Sequence, residues 1–234
     1  MGFSIMAPLI HACKKDATTT AATATDSSAT GTVTTGSCVL TPTKEEGPFP
    51  YPTGEIKNPL DRVAVTGTQT GLPLTLHLTV VNTNASCAVT SGVRVDIWHC
   101  NKDGYYSGYA SQPGVLGTQS YVGETWLRGY QTSDAKGAIR FTTIYPGWYD
   151  GRATHIHLEI FVNGTLKKIA QMAFPESISD AVHVTDAYKA HGINTTRNAS
   201  DHVFGDSDLV NEMLTLAGDT TNGYTGTYTI GLAL

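Results

Sequence analysis

The sequence predicts an all-β protein: an antiparallel β-sandwich of about eight strands, with a short helical or irregular insertion and a disordered N-terminal tether. Three observations lead there. Short runs of alternating or β-branched apolar residues recur along most of the chain and are separated by Gly, Pro and Asn. The 234 residues include 24 glycines but only 15% charged side chains, against roughly 25% in an average soluble chain. No apolar run approaches the roughly 20 residues that a membrane-crossing helix needs. Fifteen Lys and Arg against twenty Asp and Glu give a net charge of −5, without the basic patch that nucleic acid would require.

Taken in order, residues 1–12, MGFSIMAPLIHA, are short and apolar and lead into Cys13. This resembles the leader of a bacterial lipoprotein, which predicts an exported chain (periplasmic, cell-surface or extracellular) with a lipidated Cys13 as the candidate membrane anchor. An ordinary N-terminus with an incidental thiol is the alternative. Residues 13–37 form a low-complexity Thr/Ala/Ser tether. Its stretch 14–36 has no aromatic and a single branched aliphatic, so it cannot bury enough surface to offset ordering entropy.

The folded domain is expected at 38–234, with strands over Arg62–Thr68, Leu74–Val81, Val93–His99, Thr125–Gln131, Ala138–Ile144, His155–Val162, Lys168–Phe174 and Tyr224–Ile230. SISDAVHVTDAYKAH, before the last strand, reads as one helix or two turns. Cys38, Cys87 and Cys100 contain no CxxC pair, which argues against structural zinc. In an exported chain one disulfide among them leaves one thiol over. Sequons at Asn84, Asn163, Asn194 and Asn198 would matter only in a eukaryotic secretory route, which the lipoprotein reading opposes.

The sharpest chemical feature is His155-Ile156-His157 in THIHLEIFV. On a strand, residues i and i+2 share a face, so both imidazoles can reach one metal; a packed histidine pair is the alternative. Tyr149 lies on a turn just before this strand, and Tyr106 on the loop after VRVDIWHC. Loops over a rigid sheet are where ligating side chains are usually set. His99 alternates with Val93, Val95 and Ile97 and reads as a core histidine, while Trp98 and Trp148 read as packing or pocket walls. Asp134 and Lys136 flank a solvated turn, and His183, His191 and His202 in the irregular region receive no ligand role.

Five segments in order resemble the intradiol ring-cleavage dioxygenases. WHCNKDGYYSG is similar to that family's WHxNxxGxYS, TIYPGWY to its segment ending in a ligand Tyr, and RATHIH to its RPAHIH. Gln171 in IAQMAFP stands fourteen residues after His157, and LTPTKEEGPF resembles the family's segment ending in EGPF or EGPY. The C-terminal GYTGTYTIGL is also similar to exported members.

The resemblance implies one non-haem Fe(III) per chain held by Tyr106, Tyr149, His155 and His157, with Arg152 stabilising charge and Gln171 beside the substrate. Two phenolates, two neutral imidazoles and a hydroxide would leave such a site neutral. The implied partners are a small aromatic diol and O2. The diol would displace the Tyr149 phenolate, which takes up a proton and thus acts as ligand and base, and the product would be a muconate-type diacid. Residues 153–154 are Ala-Thr rather than Pro-Ala, only five residues separate Tyr149 from His155, and the family's helical dimerisation region is missing. The first two departures bear on pocket shape and substrate rather than on the metal, and because of the third no oligomeric state carries over from the resemblance. Pocket walls are expected from Glu46–Phe49, Tyr105, Tyr109 and Trp148. A non-catalytic tethered binding module is the alternative, and a two-His face holding copper or zinc is a third.

Overall fold

The computed structural model describes residues 1–2 and 39–234. The leader, tether, Cys13 and Cys38 therefore lie outside the described residues, apart from Met1 and Gly2. Among the described residues nine strands form: β1 (Pro73–Asn82), β2 (Ala88–Val89), β3 (Val93–Trp98), β4 (Arg128–Thr132), β5 (Ala138–Ile144), β6 (His155–Val162), β7 (Thr165–Ala173), β8 (Thr215–Asp219) and β9 (Gly223–Leu232). A helix, α1 (Glu176–His183), covers only the start of the expected insertion. No helix among the described residues is long and apolar enough to cross a membrane.

One sheet has the order β4-β3-β6-β7, all antiparallel. In the other, β1 pairs with β9 along one edge and with β5 and then β2 along the other, while β8 extends from β9. The β1–β9 pairing is parallel, a departure from the wholly antiparallel sandwich that was expected. Alternation decides what lies between the sheets. Leu74, Leu76, Leu78 and Val80 of β1 meet Val95 and Ile97 of β3 and Ile156, Leu158 and Ile160 of β6 in one core. Burying each such side chain is worth about 1.5–3 kcal/mol.

The expected strand at Arg62–Thr68 does not form. That segment instead laces the sheets together: Arg62 N donates to Tyr130 O on β4, and Val65 N to Thr142 O on β5. A chain crossing between two sheets cannot run a ladder on either. The two-residue β2 and the edge strand β8 carry no comparable apolar run and were not expected. Cys87 is disulfide-bonded and Cys100 is a buried free thiol. Asn194 and Asn198 are buried and donate to the Arg152 and Phe174 carbonyls, so their sequons cannot be glycosylated in the folded state.

β6 is buried on both sides, because its odd-numbered residues face away from the core and are covered by loops. The β6–β7 hairpin turns at Asn163 (φ 50°) and Gly164 (φ 73°), the paired positive φ values of a type I′ turn. That turn, together with a one-residue register shift of the ladder between Ile160 and Phe161, sets a register in which Trp98, His157 and Gln171 stand abreast on the outer face.

A buried carboxylate near β7 offers a stability test. Glu212 O accepts from Ala173 N, and its carboxylate, almost fully buried, lies 3.3 Å from Lys44 Nζ. Burial pushes its pKa from 4.5 up to about 7, against the pull of Lys44. Because the folded value exceeds the unfolded one, the folded state holds the extra proton between them, and stability falls as pH rises through that window. Glu212→Gln should flatten this dependence and raise stability near pH 8 by roughly 1–3 kcal/mol. Urea unfolding of both proteins near pH 5 and pH 8 checks it; parallel curves would count against the buried charge.

Candidate metal centre

Three segments converge on the outer face of β6. In the loop after β3, Asn101 Oδ1 accepts from Asp103 N and Tyr105 N, which curls the chain into a tight turn. Gly104 sits in that turn at φ 87°, where a Cβ would lie 2.2 Å from Trp148 O. The turn delivers Tyr106, whose peptide is clamped by Gln112: Tyr106 N donates to Oε1 at 2.7 Å and Nε2 donates back to Tyr106 O at 2.8 Å. Phe49 stacks on the Tyr106 ring at 4.6 Å. The segment after β5 brings Tyr149, anchored where Gly147 N donates to Asn101 O. β6 itself supplies His155 and His157, and Trp98 stacks on the latter at 4.8 Å.

Four donor atoms meet there. His155 Nε2 and His157 Nε2 are 3.0 Å apart; Tyr106 Oη lies 3.1 Å from His157 Nε2 and 3.5 Å from His155 Nε2; Tyr149 Oη lies 3.5 Å from His155 Nε2. His155 Nδ1 is 2.6 Å from the Ala153 carbonyl, which can only accept. Nδ1 therefore carries the proton, and the Nε2 lone pair faces the cluster. Burial, then the Arg152 charge, holds both imidazoles well below their ordinary range, in the neutral form that binds metals. Burial likewise raises both phenols, Tyr106 furthest, so ionising them needs a cation in their midst.

The donor set fits a hard, highly charged ion. Two phenol oxygens and two imidazole nitrogens suit Fe(III) better than a soft metal. Among the described residues no group of three or more His, Cys, Asp and Glu could hold a metal, so a centre here depends on the phenols.

Arg152 and Gln171 join the same cluster. Arg152 Nη1 lies 3.3 Å from Tyr149 Oη, to which it donates, and 3.4 Å from His155 Nε2. Its Nη2 donates to Gln171 Oε1 at 2.5 Å, and Gln171 Nε2 donates to Glu45 O at 2.9 Å. Behind them stands Asp201, which was not anticipated. Its Oδ2 accepts from Arg152 Nε at 2.9 Å and from Ala153 N at 2.6 Å, while Oδ1 accepts from Val203 N at 2.7 Å. Burial works against this carboxylate, but Arg152 and the amides outweigh it and hold its pKa below the usual value.

A cavity of about 320 Å³ opens beside Tyr149 and Arg152, lined also by Glu45, Pro48, Asp150 and His202. A second concavity of about 310 Å³, among β1, β8 and β9, touches none of the converging groups. Of the expected walls only Pro48 lines the first cavity. Tyr105 instead turns its hydroxyl to Gly117 O, Tyr109 to Pro50 O, and Trp148 Nε1 donates to Gly192 O. His99 is buried between Cys100 O and Thr143 Oγ1, each at 2.8 Å. His202 stands at the cavity mouth, 3.0 Å from Glu45.

A family model described as Dioxygenase matches residues 45–213. No curated protein matches the chain. Among solved structures, an intradiol ring-cleavage dioxygenase from Tetranychus urticae is 27% identical with a TM-score of 0.73, covering 83% of this chain and 95% of that one. The dioxygenase domain of a dioxygenase and carbohydrate-binding fusion from Streptomyces sp. SirexAA-E is 24% identical, TM-score 0.60, over 84% and 99% of the two chains. Hydroxyquinol 1,2-dioxygenase from Pseudomonas putida DLL-E4 is 19% identical, TM-score 0.56, over 84% and 68%. The last two speak to the fold alone. With its family model matched across most of the folded region, the chain belongs to the intradiol ring-cleavage dioxygenase family.

Proposed function

We propose that this dioxygenase uses one non-haem Fe(III) per chain to open a small catechol-type diol with O2 between its two hydroxyl-bearing carbons, giving a muconate-type diacid. The observation that supports this best is the convergence of the buried Tyr106, His155 and His157 with the half-buried Tyr149 beside an open cavity. A non-catalytic binding module has no use for such a donor set. Bound Fe(III) would supply the Lewis acidity that acidifies the diol and the covalency that opens its ring to O2.

The chain's residues divide the remaining work. Tyr106 is fully buried and its ring is stacked, so it stays in place. Tyr149 is half-buried on the cavity wall, so it is the phenol that gives way and takes a substrate proton at Oη. Arg152 Nη1, 3.3 Å from that oxygen, steadies it and the negative charge that grows on the ring. Gln171, held by Arg152 and the Glu45 carbonyl, orients the substrate. The chain is further read as exported, with Cys13 as its candidate lipid anchor; the Cys87 disulfide supports export.

The test is a visible absorption spectrum with metal analysis on the same sample, before and after catechol is added without O2. The expected result is a phenolate-to-iron charge-transfer band, one iron per chain, and a band shift on adding catechol. A protein that stays colourless after Fe(III) loading would overturn the proposal.

A further inference from the structure

The cavity beside Tyr149 and Arg152 carries two carboxylates, Glu45 and Asp150, on its wall. Both of its basic side chains already have partners, and the Nη1 of Arg152 is turned to Tyr149 Oη. Arg152 is paired with the buried Asp201 at 2.9 Å and donates to Gln171. His202 Nε2 lies 3.0 Å from Glu45 Oε1. Lys44, the neighbouring cation on the same segment, is held by Asp206 at 2.7 Å and Glu212 at 3.3 Å. Arg152 and Asp201 cancel in formal charge, and a protonated His202 would offset one of the two remaining carboxylates.

We propose that Glu45 and Asp150 select substrate by charge, admitting diols with neutral or cationic substituents and turning away catechol carboxylates. The proposal rests on the ring-cleavage reading above and names its substrate class. An anionic substituent entering here would lose water beside like charges, with no basic residue on the cavity lining other than Arg152 and His202, both already engaged. An ammonium substituent gains from the same carboxylates. Both side chains reach solvent, so salt screens the effect, which amounts to about three- to tenfold for each charge at low ionic strength.

The experiment compares 3,4-dihydroxybenzoate, catechol and 3,4-dihydroxyphenethylamine as substrates of the iron-loaded chain. Calorimetric binding of each without O2 is measured alongside. The amine should exceed the carboxylate in kcat/KM by at least about tenfold at low salt, and the binding order should agree. In a Glu45→Gln/Asp150→Asn variant this ratio should fall by about tenfold; taking a ratio cancels any loss common to both substrates. High salt should shrink it likewise. A preference for the carboxylate, or a ratio unmoved in the variant, overturns charge selection while ring cleavage stands. Failure to cleave any diol overturns the ring-cleavage reading, and the binding order of the two proteins then decides charge selection alone.

Discussion

Tyr106→Phe should abolish iron binding and ring cleavage while leaving the fold nearly untouched. The Tyr106 ring is fully buried, stacked on Phe49 at 4.6 Å and capped by the Arg128 guanidinium at 5.9 Å, and Phe keeps all of that surface. Only the hydroxyl is lost, and its close neighbours are the two imidazoles and the Tyr149 hydroxyl of the cluster. Stability should therefore change by less than about 1.5 kcal/mol. Iron affinity should fall by at least about 100-fold, since even groups that only support a ligand cost 10–100-fold when removed. His155→Ala should lose iron as well. Metal content per chain, turnover of catechol and a thermal melt separate the effects. Stoichiometric iron in both variants would refute the assignment of these ligands.

Asp201→Asn should act differently, weakening the fold and slowing turnover while iron still binds. The carboxylate holds Arg152 Nε and Ala153 N on one oxygen, and the Ala153 carbonyl in turn fixes His155 Nδ1. The amide restores the shape but not the charge, and leaves Arg152 buried without its anion. Breaking one side of such a pair costs about 3–5 kcal/mol, which in a domain of this size lowers Tm by roughly 10 °C. The Asp201 pKa is depressed in the folded state, so its contribution is present above the unfolded value of 3.8 and lost as pH falls through the folded one. The variant should therefore lack part of the acid dependence seen in the parent below about pH 4. As a positioning residue it should lower kcat by about 10–100-fold with iron still stoichiometric, because a displaced Arg152 no longer meets Tyr149 Oη. A variant that melts and turns over like the parent would show that Arg152 needs no anchor.

Alternation makes the histidine pair legible in the sequence, and the family resemblance makes Tyr106, Tyr149, Arg152 and Gln171 legible. The period-2 pattern of THIHLEIFV places His155 and His157 on one face and Ile156, Leu158 and Ile160 on the other, and β6 does so. Six residues singled out in the sequence, from Tyr106 to Gln171, lie in one cluster. Asp201 was not legible, because it meets Arg152 across 49 positions from an irregular segment in which no periodicity marks a buried carboxylate. The cavity wall was misplaced for a related reason: a loop residue such as Tyr105 or Trp148 points where its turn sends it, and turn geometry is set by distant backbone contacts. Arg62–Thr68 has a strand's composition but bridges two sheets, a choice that tertiary geometry makes.

The Asn163–Gly164 turn also limits how this enzyme can change over evolutionary time. With the register shift at Ile160/Phe161 it works as a length gauge: one further residue that this shift did not absorb would slide β7 along β6, turn Gln171 toward the core and send its apolar neighbours Ala170 and Met172 outward. The exposed side chains of Glu45 and His202 are under no such constraint, although the backbone beside them is: Glu45 O holds Gln171, and Asp201, next to His202, anchors Arg152. New substrate ranges should therefore arise by substitution of those two side chains, while the length of the hairpin between His157 and Gln171 stays fixed.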